Sequence, residues 1–318
     1  MYHHKGNSGD TLMNMKKVIK VVLGLIFIFS AVMKIIGMDN FELYIYSYHF
    51  FSLNFTFLVA RAAIIIELVL GILLVLNYFH KLAWWGSVTM LAGYTFFLLY
   101  AQLIGRTDSC HCFGDILQFN PWQSIIKNVV LIILFLYVYN VSDTKFKYQW
   151  LAFIGIVIAV SAAVFVVSPP DNYTSNYKSH ELLHQDLFQD ALNRPPLDSL
   201  PLCEGRKVVC LFSSSCKYCQ MTARKLSIMQ QIHGFPSDDI YYVFMGNKDG
   251  VDKFYVESES LRYHDVIYDD VIGLIKINDG VFPVVILMEE GRIVQEYDFR
   301  NMNEGQIEAF FKQNEATL

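Results

Sequence analysis

Five stretches of this 318-residue sequence are nearly free of charge, and each is long enough to cross a lipid bilayer. Residues 18–37 are interrupted only by Lys20 and Lys34, close to the two ends. Residues 55–79 carry Arg61 near one end and Glu67 in the middle. Residues 82–105 and 149–168 carry no charge, and residues 122–140 carry Lys127 alone. A hydrocarbon core of about 30 Å takes roughly 20 helical residues. Inside it the backbone must satisfy its own hydrogen bonds, so each run reads as a transmembrane helix. Hydrophobic residues make up 54% of the chain and charged residues 17%, too apolar for an ordinary soluble protein. The first run is too long for a cleaved signal peptide, and no small-residue cleavage site follows it.

Charge divides the chain. Residues 1–168 hold 11 Lys/Arg against 7 Asp/Glu, and residues 169–318 hold 14 against 23. The greasy half is basic and the other half is acidic and reads as soluble. No basic patch with interleaved aromatics points to nucleic acid. With the N-terminus inside, the inner segments hold Lys5, Lys16, Lys17, Lys20, Lys81, Lys145 and Lys147, while the outer segments and helix ends hold Lys34, Arg61, Arg106 and Lys127. Positive charge accumulates on the cytoplasmic side. That orientation leaves residues 38–54 as an outer loop and puts everything from residue 169 outside the cytoplasm. The expected location is the inner (cytoplasmic) membrane, with the acidic half on the periplasmic face.

The expected plan is a four-helix membrane domain over 1–141, a fifth transmembrane helix within 142–168, a connector over 169–205 and an α/β domain over 206–318. Pro169-Pro170 ends the fifth helix because proline cannot continue the hydrogen-bond ladder. Residues 179–193 have the pattern of a short amphipathic helix, broken by Arg194-Pro195-Pro196. Beyond it, apolar β-rich runs at 207–212, 240–245, 266–268, 282–287 and 292–299 alternate with helical stretches from 216 to 231, 251–256, 271–277 and 303–312. Glu290-Gly291 has the composition of a hairpin turn. These elements imply a mixed sheet covered by helices.

Six cysteines are present, and four fall into two tight pairs, Cys110/Cys112 and Cys216/Cys219. Tight pairs suit redox or metal chemistry better than a disulfide framework. Cys216-Lys217-Tyr218-Cys219 stands at a strand-to-helix turn. There the first sulfur meets the free N–H groups and the dipole of a helix N-terminus, which favour the thiolate. The second sulfur, one turn on, can attack a mixed disulfide and close the ring. A zinc site needs two more ligands at comparable spacing, and none is close. Cys110-His111-Cys112 forms a tighter ring. A disulfide there is strained and a stronger oxidant; a metal clip using His111 and inert loop thiols are the alternatives. Cys210 reads as a small buried hydrophobe, and a Cys203–Cys210 disulfide is left open.

Residues 206–318 resemble the thioredoxin superfamily in three features: the strand before the motif, the C-x-x-C itself and Phe282-Pro283. The resemblance makes Pro283 the cis-proline that faces the cysteines and pairs with substrate; an edge-strand proline is the alternative. Ser215 stands where thioredoxin has Trp, and Cys210 where it has a buried Asp. Residues 17–140 resemble the MauE/DoxX family of redox-associated membrane proteins. The resemblance rests on Cys110-His111-Cys112-Phe113-Gly114 with Trp122 and Asn128, the end of the first helix from Phe29 to Lys34, and Ile66 to Gly71. It implies a part in disulfide maturation of exported proteins. The whole plan looks like bacterial vitamin K epoxide reductase homologues, except that residues 38–54 lack their second cysteine pair.

Polar residues inside a membrane are functional candidates. Glu67 either handles protons at a quinone site or pairs with a backbone or Tyr group for structure. Arg61 reads as a snorkelling side chain. The expected function is a membrane-bound thiol–disulfide oxidoreductase in which Cys216, Cys219, Cys110, Cys112 and Pro283 carry the chemistry. Exported thiol proteins reduce one pair, that pair reduces the other, and electrons leave to quinone. No metal and no covalently bound cofactor is expected, and lipid is the surrounding partner. An outward-directed reductase or isomerase and a non-enzymatic client-binding maturation factor are the competing readings.

Overall fold

A computed structural model describes residues 7–105, 120–141, 147–171 and 182–312. The chain forms two compact units. One comprises Met1–Ile45 and Phe57–Pro169, the other Tyr46–Thr56 and Pro170–Leu318.

The first unit is helical. Among the described residues five helices are long and apolar enough to cross a membrane: α1 (Asn7–Ile36), α3 (Leu53–Leu76), α4 (His80–Leu103), α5 (Pro121–Val138) and α6 (Gln149–Val167). The structure adds α2 (Met38–Tyr46) in what the sequence reads as an outer loop. Asp39 lies in its first turn, where a carboxylate complements the helix dipole, and it buries Phe41, Leu43 and Tyr44. Small residues bring α1 and α3 together: a Cβ on Gly24 would lie 2.8 Å from the Gly71 carbonyl oxygen. Lipid tails supply no hydrophobic drive between helices, so close backbone approach is a main source of packing energy.

Arg61 is not a snorkelling residue. It is 1% exposed. Its Nη1 donates to Glu42 Oε1 at 2.5 Å, and its Nε and Nη2 donate to the carbonyls of Ser168 and Pro169 at 2.8 and 2.9 Å. The last carbonyls of a helix lack intrahelical partners, and Arg61 satisfies those at the end of α6.

The second unit is built on a five-stranded sheet. Its strands are β1 (Arg206–Ser213), β2 (Ile240–Met245), β3 (His264–Ile267), β4 (Val284–Glu289) and β5 (Arg292–Tyr297), in the order β3-β2-β1-β4-β5. The first three are mutually parallel; β4 runs antiparallel to β1 and β5 antiparallel to β4, with Val208 opposite Ile240 and Leu211 opposite Val284. The central strands are continuous apolar runs because both faces are covered. On one face Val209, Leu211, Val243 and Ile286 pack with α10 (Val271–Asn278) and α7 (Gln185–Leu192). On the other, Phe212, Phe244 and Phe254 of α9 (Lys248–Ser258) form an aromatic cluster with centroids 4.9–6.0 Å apart. The remaining helices are α8 (Lys217–His233) and α11 (Glu304–Lys312). Gly234 ends α8 at φ 69°, a conformation that costs glycine little.

The connector contributes more than its sequence implies. Phe188 of α7 is fully buried, and Leu183, Leu192, Leu197 and Leu202 share the same core. Residues 182–205 are therefore part of the α/β unit rather than spare tether.

Candidate dithiol site

Strand β1 runs into Ser213–Ser215, and Cys216 then becomes the N-cap of α8, with extended backbone at φ −84° and ψ 119°. The cap group is sulfur. Its Sγ accepts from the Cys219 backbone N–H at 3.3 Å, the position an Asn or Ser oxygen takes in other helices. Cys216 is half-buried, whereas Cys219 is fully buried, and both are free thiols. A partner from solvent therefore meets Cys216 first.

Hydrogen bonding decides the charge on Cys216. Donation from the Cys219 thiol, followed by the backbone N–H groups of Cys219 and Tyr218, outweighs partial desolvation and lowers its pKa from 9.0 to about 6. The thiolate is present above about pH 6 and is lost as pH falls through that value. Cys219 moves the other way. Burial raises its pKa first, then its hydrogen bond to Cys216 and the Cys216 charge. Two of those three causes depend on a thiolate at Cys216. When Cys216 enters a mixed disulfide they vanish, and Cys219 becomes easier to ionise at the step that needs it as a nucleophile.

Pro283 lies at the same end of the sheet. The Phe282–Pro283 peptide bond is cis, Pro283 is buried, and the next residue, Val284, pairs with Leu211 on the strand that feeds the motif. Cys210 occupies a middle rung of β1 between Tyr242 and Val285. It is fully buried and its pKa is raised by burial, which fits its place as a small hydrophobe of the core. Cys203 is exposed and free and sits against the hairpin turn, where a Cβ on Gly291 would lie 3.2 Å from its sulfur. Cys203 and Cys210 are not joined. Cys110 and Cys112 lie outside the described residues.

Glu67 has a partner that spacing alone did not suggest. Its Oε2 accepts from Lys34 Nζ at 2.5 Å, with both side chains buried at 6% and 3% exposure. Lys34 also donates to Ser30 Oγ at 3.2 Å and lies 5.0 Å over the Tyr94 ring. The pair borders a cavity of about 20 Å³ lined also by Asn128, Lys127 and Leu131. The Asn128 amide nitrogen is buried there without a hydrogen-bond partner among the described residues. That volume is the room one water needs.

Fold and site together define a class: a multi-pass membrane protein carrying a thioredoxin-like domain whose C-x-x-C opens a helix at the sheet end that also holds a cis-proline. The particulars come from its relatives. Residues 13–140 match the model of the family of methylamine utilisation protein MauE. Protein TlpB of Flavobacterium psychrophilum is 25% identical over 292 residues, covering 76% of this chain and 79% of that protein. Two solved structures are similar to the second unit. The thioredoxin domain of a thiol-disulfide oxidoreductase from Bacteroides vulgatus is 21% identical, covers 35% of this chain and 81% of that one, and has a TM-score of 0.29. StoA from Bacillus subtilis is 20% identical, covers 34% and 83%, and has a TM-score of 0.26. With scores that low, the thioredoxin-like assignment rests on this chain's own strand order, motif and cis-proline.

Proposed function

We propose that the protein is a membrane-bound thiol–disulfide oxidoreductase in which Cys216 attacks and Cys219 resolves. The observation that carries this is the asymmetry of the pair: a half-buried Cys216 with pKa lowered to about 6 beside a fully buried Cys219 with pKa raised. A structural pair has no use for an accessible thiolate, whereas exchange chemistry needs one. The name of the Bacteroides vulgatus structure, a thiol-disulfide oxidoreductase, agrees with this reading.

In the proposed cycle a client thiolate attacks the Cys216–Cys219 disulfide, and Cys219 leaves as a thiolate. The second client thiolate attacks its own sulfur in the mixed disulfide and expels Cys216. The client gains a disulfide, and the pair gains two electrons and two protons. The Cys216/Cys219 dithiol then reduces a Cys110–Cys112 disulfide, and two electrons and two protons leave to a membrane acceptor of the quinone class. Clients are exported proteins, and the thioredoxin-like domain faces the extracytoplasmic side of the inner membrane. The Lys/Arg asymmetry supports that orientation.

In a Cys219→Ser variant the Cys216 thiolate should attack the disulfides of oxidised exported proteins, the reverse of the first half of the cycle, and with no Cys219 to resolve them the mixed disulfides should accumulate on Cys216. In a Cys110→Ser variant, Cys216 and Cys219 should accumulate reduced. A Cys219→Ser protein that traps nothing sinks the exchange reading, and a pair that stays oxidised without Cys110 sinks the relay. A C-terminal alkaline phosphatase fusion should be active; an inactive one reverses the orientation.

A further inference from the structure

The surface beside the motif carries a cation on an aromatic platform. Tyr218, inside the C-x-x-C and 44% exposed, packs its ring against Phe299 with centroids 5.2 Å apart. The Arg300 guanidinium lies over both rings, 5.6 Å from Tyr218 and 5.0 Å from Phe299. Lys225 approaches Phe299 at 4.0 Å and donates to its carbonyl at 2.9 Å.

The charges are arranged unequally in depth. Asp171, in the same unit, lies 2.8 Å from Arg300 Nη1 and 3.9 Å from Lys225 Nζ. One carboxylate thus stands between two cations, and a second, Asp298, accepts from the Arg300 backbone N–H at 2.7 Å. The Asp171 and Lys225 side chains are only 3% and 2% exposed, while the Arg300 side chain is 44% exposed. An arriving chain therefore meets the guanidinium and the Tyr218 ring, not the acid that orients them. Lys217, exposed and next to Cys216, has the same sign. Arg300 and Lys217 are exposed cations on a half of the chain that carries 14 Lys/Arg against 23 Asp/Glu.

We propose that Tyr218, Phe299 and Arg300 form a specificity surface that selects partner cysteines flanked by acidic residues. The inference rests on the reading of Cys216 as the attacking sulfur. Tyr218 lies two residues after Cys216 in the first turn of α8, which keeps the platform within one helical turn of the reacting atom. Arginine suits this role because its planar guanidinium binds a carboxylate through two parallel hydrogen bonds and stacks on aromatic faces. A client carboxylate close to its cysteine would be drawn to Arg300 as its sulfur reaches Cys216. Such attraction acts mainly on the encounter rate.

The experiment uses full-length Cys219→Ser protein in detergent and two synthetic peptides, each with one cysteine activated as a thiopyridyl disulfide. Asp residues flank the cysteine in one peptide and Lys residues in the other. The Cys216 thiolate attacks the peptide sulfur, the bond to the pyridine sulfur breaks, and pyridinethiolate leaves and takes up a proton. Adduct formation at Cys216 is followed by peptide mass mapping, with each rate divided by that of mercaptoethanol with the same peptide. The acidic peptide should react about three- to ten-fold faster, the scale of one charge at short range in a partly screened site. The preference should fall toward unity in Arg300→Gln, persist in Arg300→Lys, and shrink at high salt. Equal rates, or a preference that Arg300→Gln and salt leave intact, overturn the proposal. If neither peptide forms a Cys216 adduct, the exchange reading itself fails and takes this proposal with it.

Discussion

Two ionisable sites, one in each unit, show how differently this chain treats charge. In the helical unit Lys34 and Glu67 meet at 2.5 Å, both almost fully buried. In the α/β unit Cys216 is half-buried, with its sulfur hydrogen-bonded by N–H and S–H donors at a helix start. The first charge is closed: its compensation is another side chain, and both partners are almost fully buried. The second is open: fixed donors stabilise the thiolate while one side stays accessible. A closed charge suits a structural part and an open one suits exchange chemistry. The same contrast recurs among helix N-termini within the α/β unit. Asn247 caps α9 by accepting from the Gly250 N–H at 2.8 Å, and Asp270 caps α10 by accepting from Gly273 at 2.9 Å. At α8 sulfur takes that position, a poorer cap and a better nucleophile.

The largest expected effect breaks the closed pair. Lys34→Met should leave Glu67 buried and alone, at a cost of about 3–5 kcal/mol. Thermal denaturation of the membrane unit in detergent reads it out, and Lys34→Met with Glu67→Leu should recover most of the loss. A Lys34→Met protein as stable as the parent would mean the charge is not closed. Next in size, Phe188→Ala should destabilise the α/β unit by about 3–5 kcal/mol, the usual range for a fully buried aromatic. Unchanged denaturation would return residues 182–205 to the role of tether.

Smaller effects sharpen the comparison of helix starts. Asn247→Ala should cost about 1 kcal/mol and leave the reactivity of Cys216 unaltered. Cys216→Asn should abolish exchange while stabilising the reduced domain by a few tenths of a kcal/mol to about 1 kcal/mol, because Asn is the better cap. If Cys216→Asn destabilises the fold instead, the sulfur is part of the structure and the contrast dissolves.

Much of this was legible locally. The five spans follow from length and hydropathy, and their ends shift by two residues or so, apart from an α1 that begins at Asn7. The C-x-x-C and the hairpin turn at Glu290-Gly291 need only short-range sequence to be seen, whereas the cis bond at Pro283 was expected only through the resemblance to thioredoxins. What stayed hidden depends on how elements rotate and pack. Glu67 and Lys34 are 33 residues apart, and no spacing rule turns their two helices toward each other. Arg61 looked like a snorkelling side chain because its partners, Glu42 and the carbonyls of residues 168 and 169, come from distant segments. Helix α2 is nine residues long with acids at positions 39 and 42, too short and too polar for a periodicity argument. Helix α7 shows only Phe188, Ala191 and Leu192 as an apolar stripe, and its burial is decided by the sheet face it covers.

The central claim is an open thiolate at Cys216 whose charge depends on Cys219. Its most direct test is the pH dependence of iodoacetamide alkylation at Cys216 in the reduced full-length protein, resolved from the other cysteines by peptide mapping. The rate should reach half its maximum near pH 6. In Cys219→Ala, which removes the largest cause of the lowered pKa, the midpoint should move upward. In Cys219→Ser, which keeps a donor, it should move less. A parent midpoint near 9, the value of an ordinary thiol, would contradict the account.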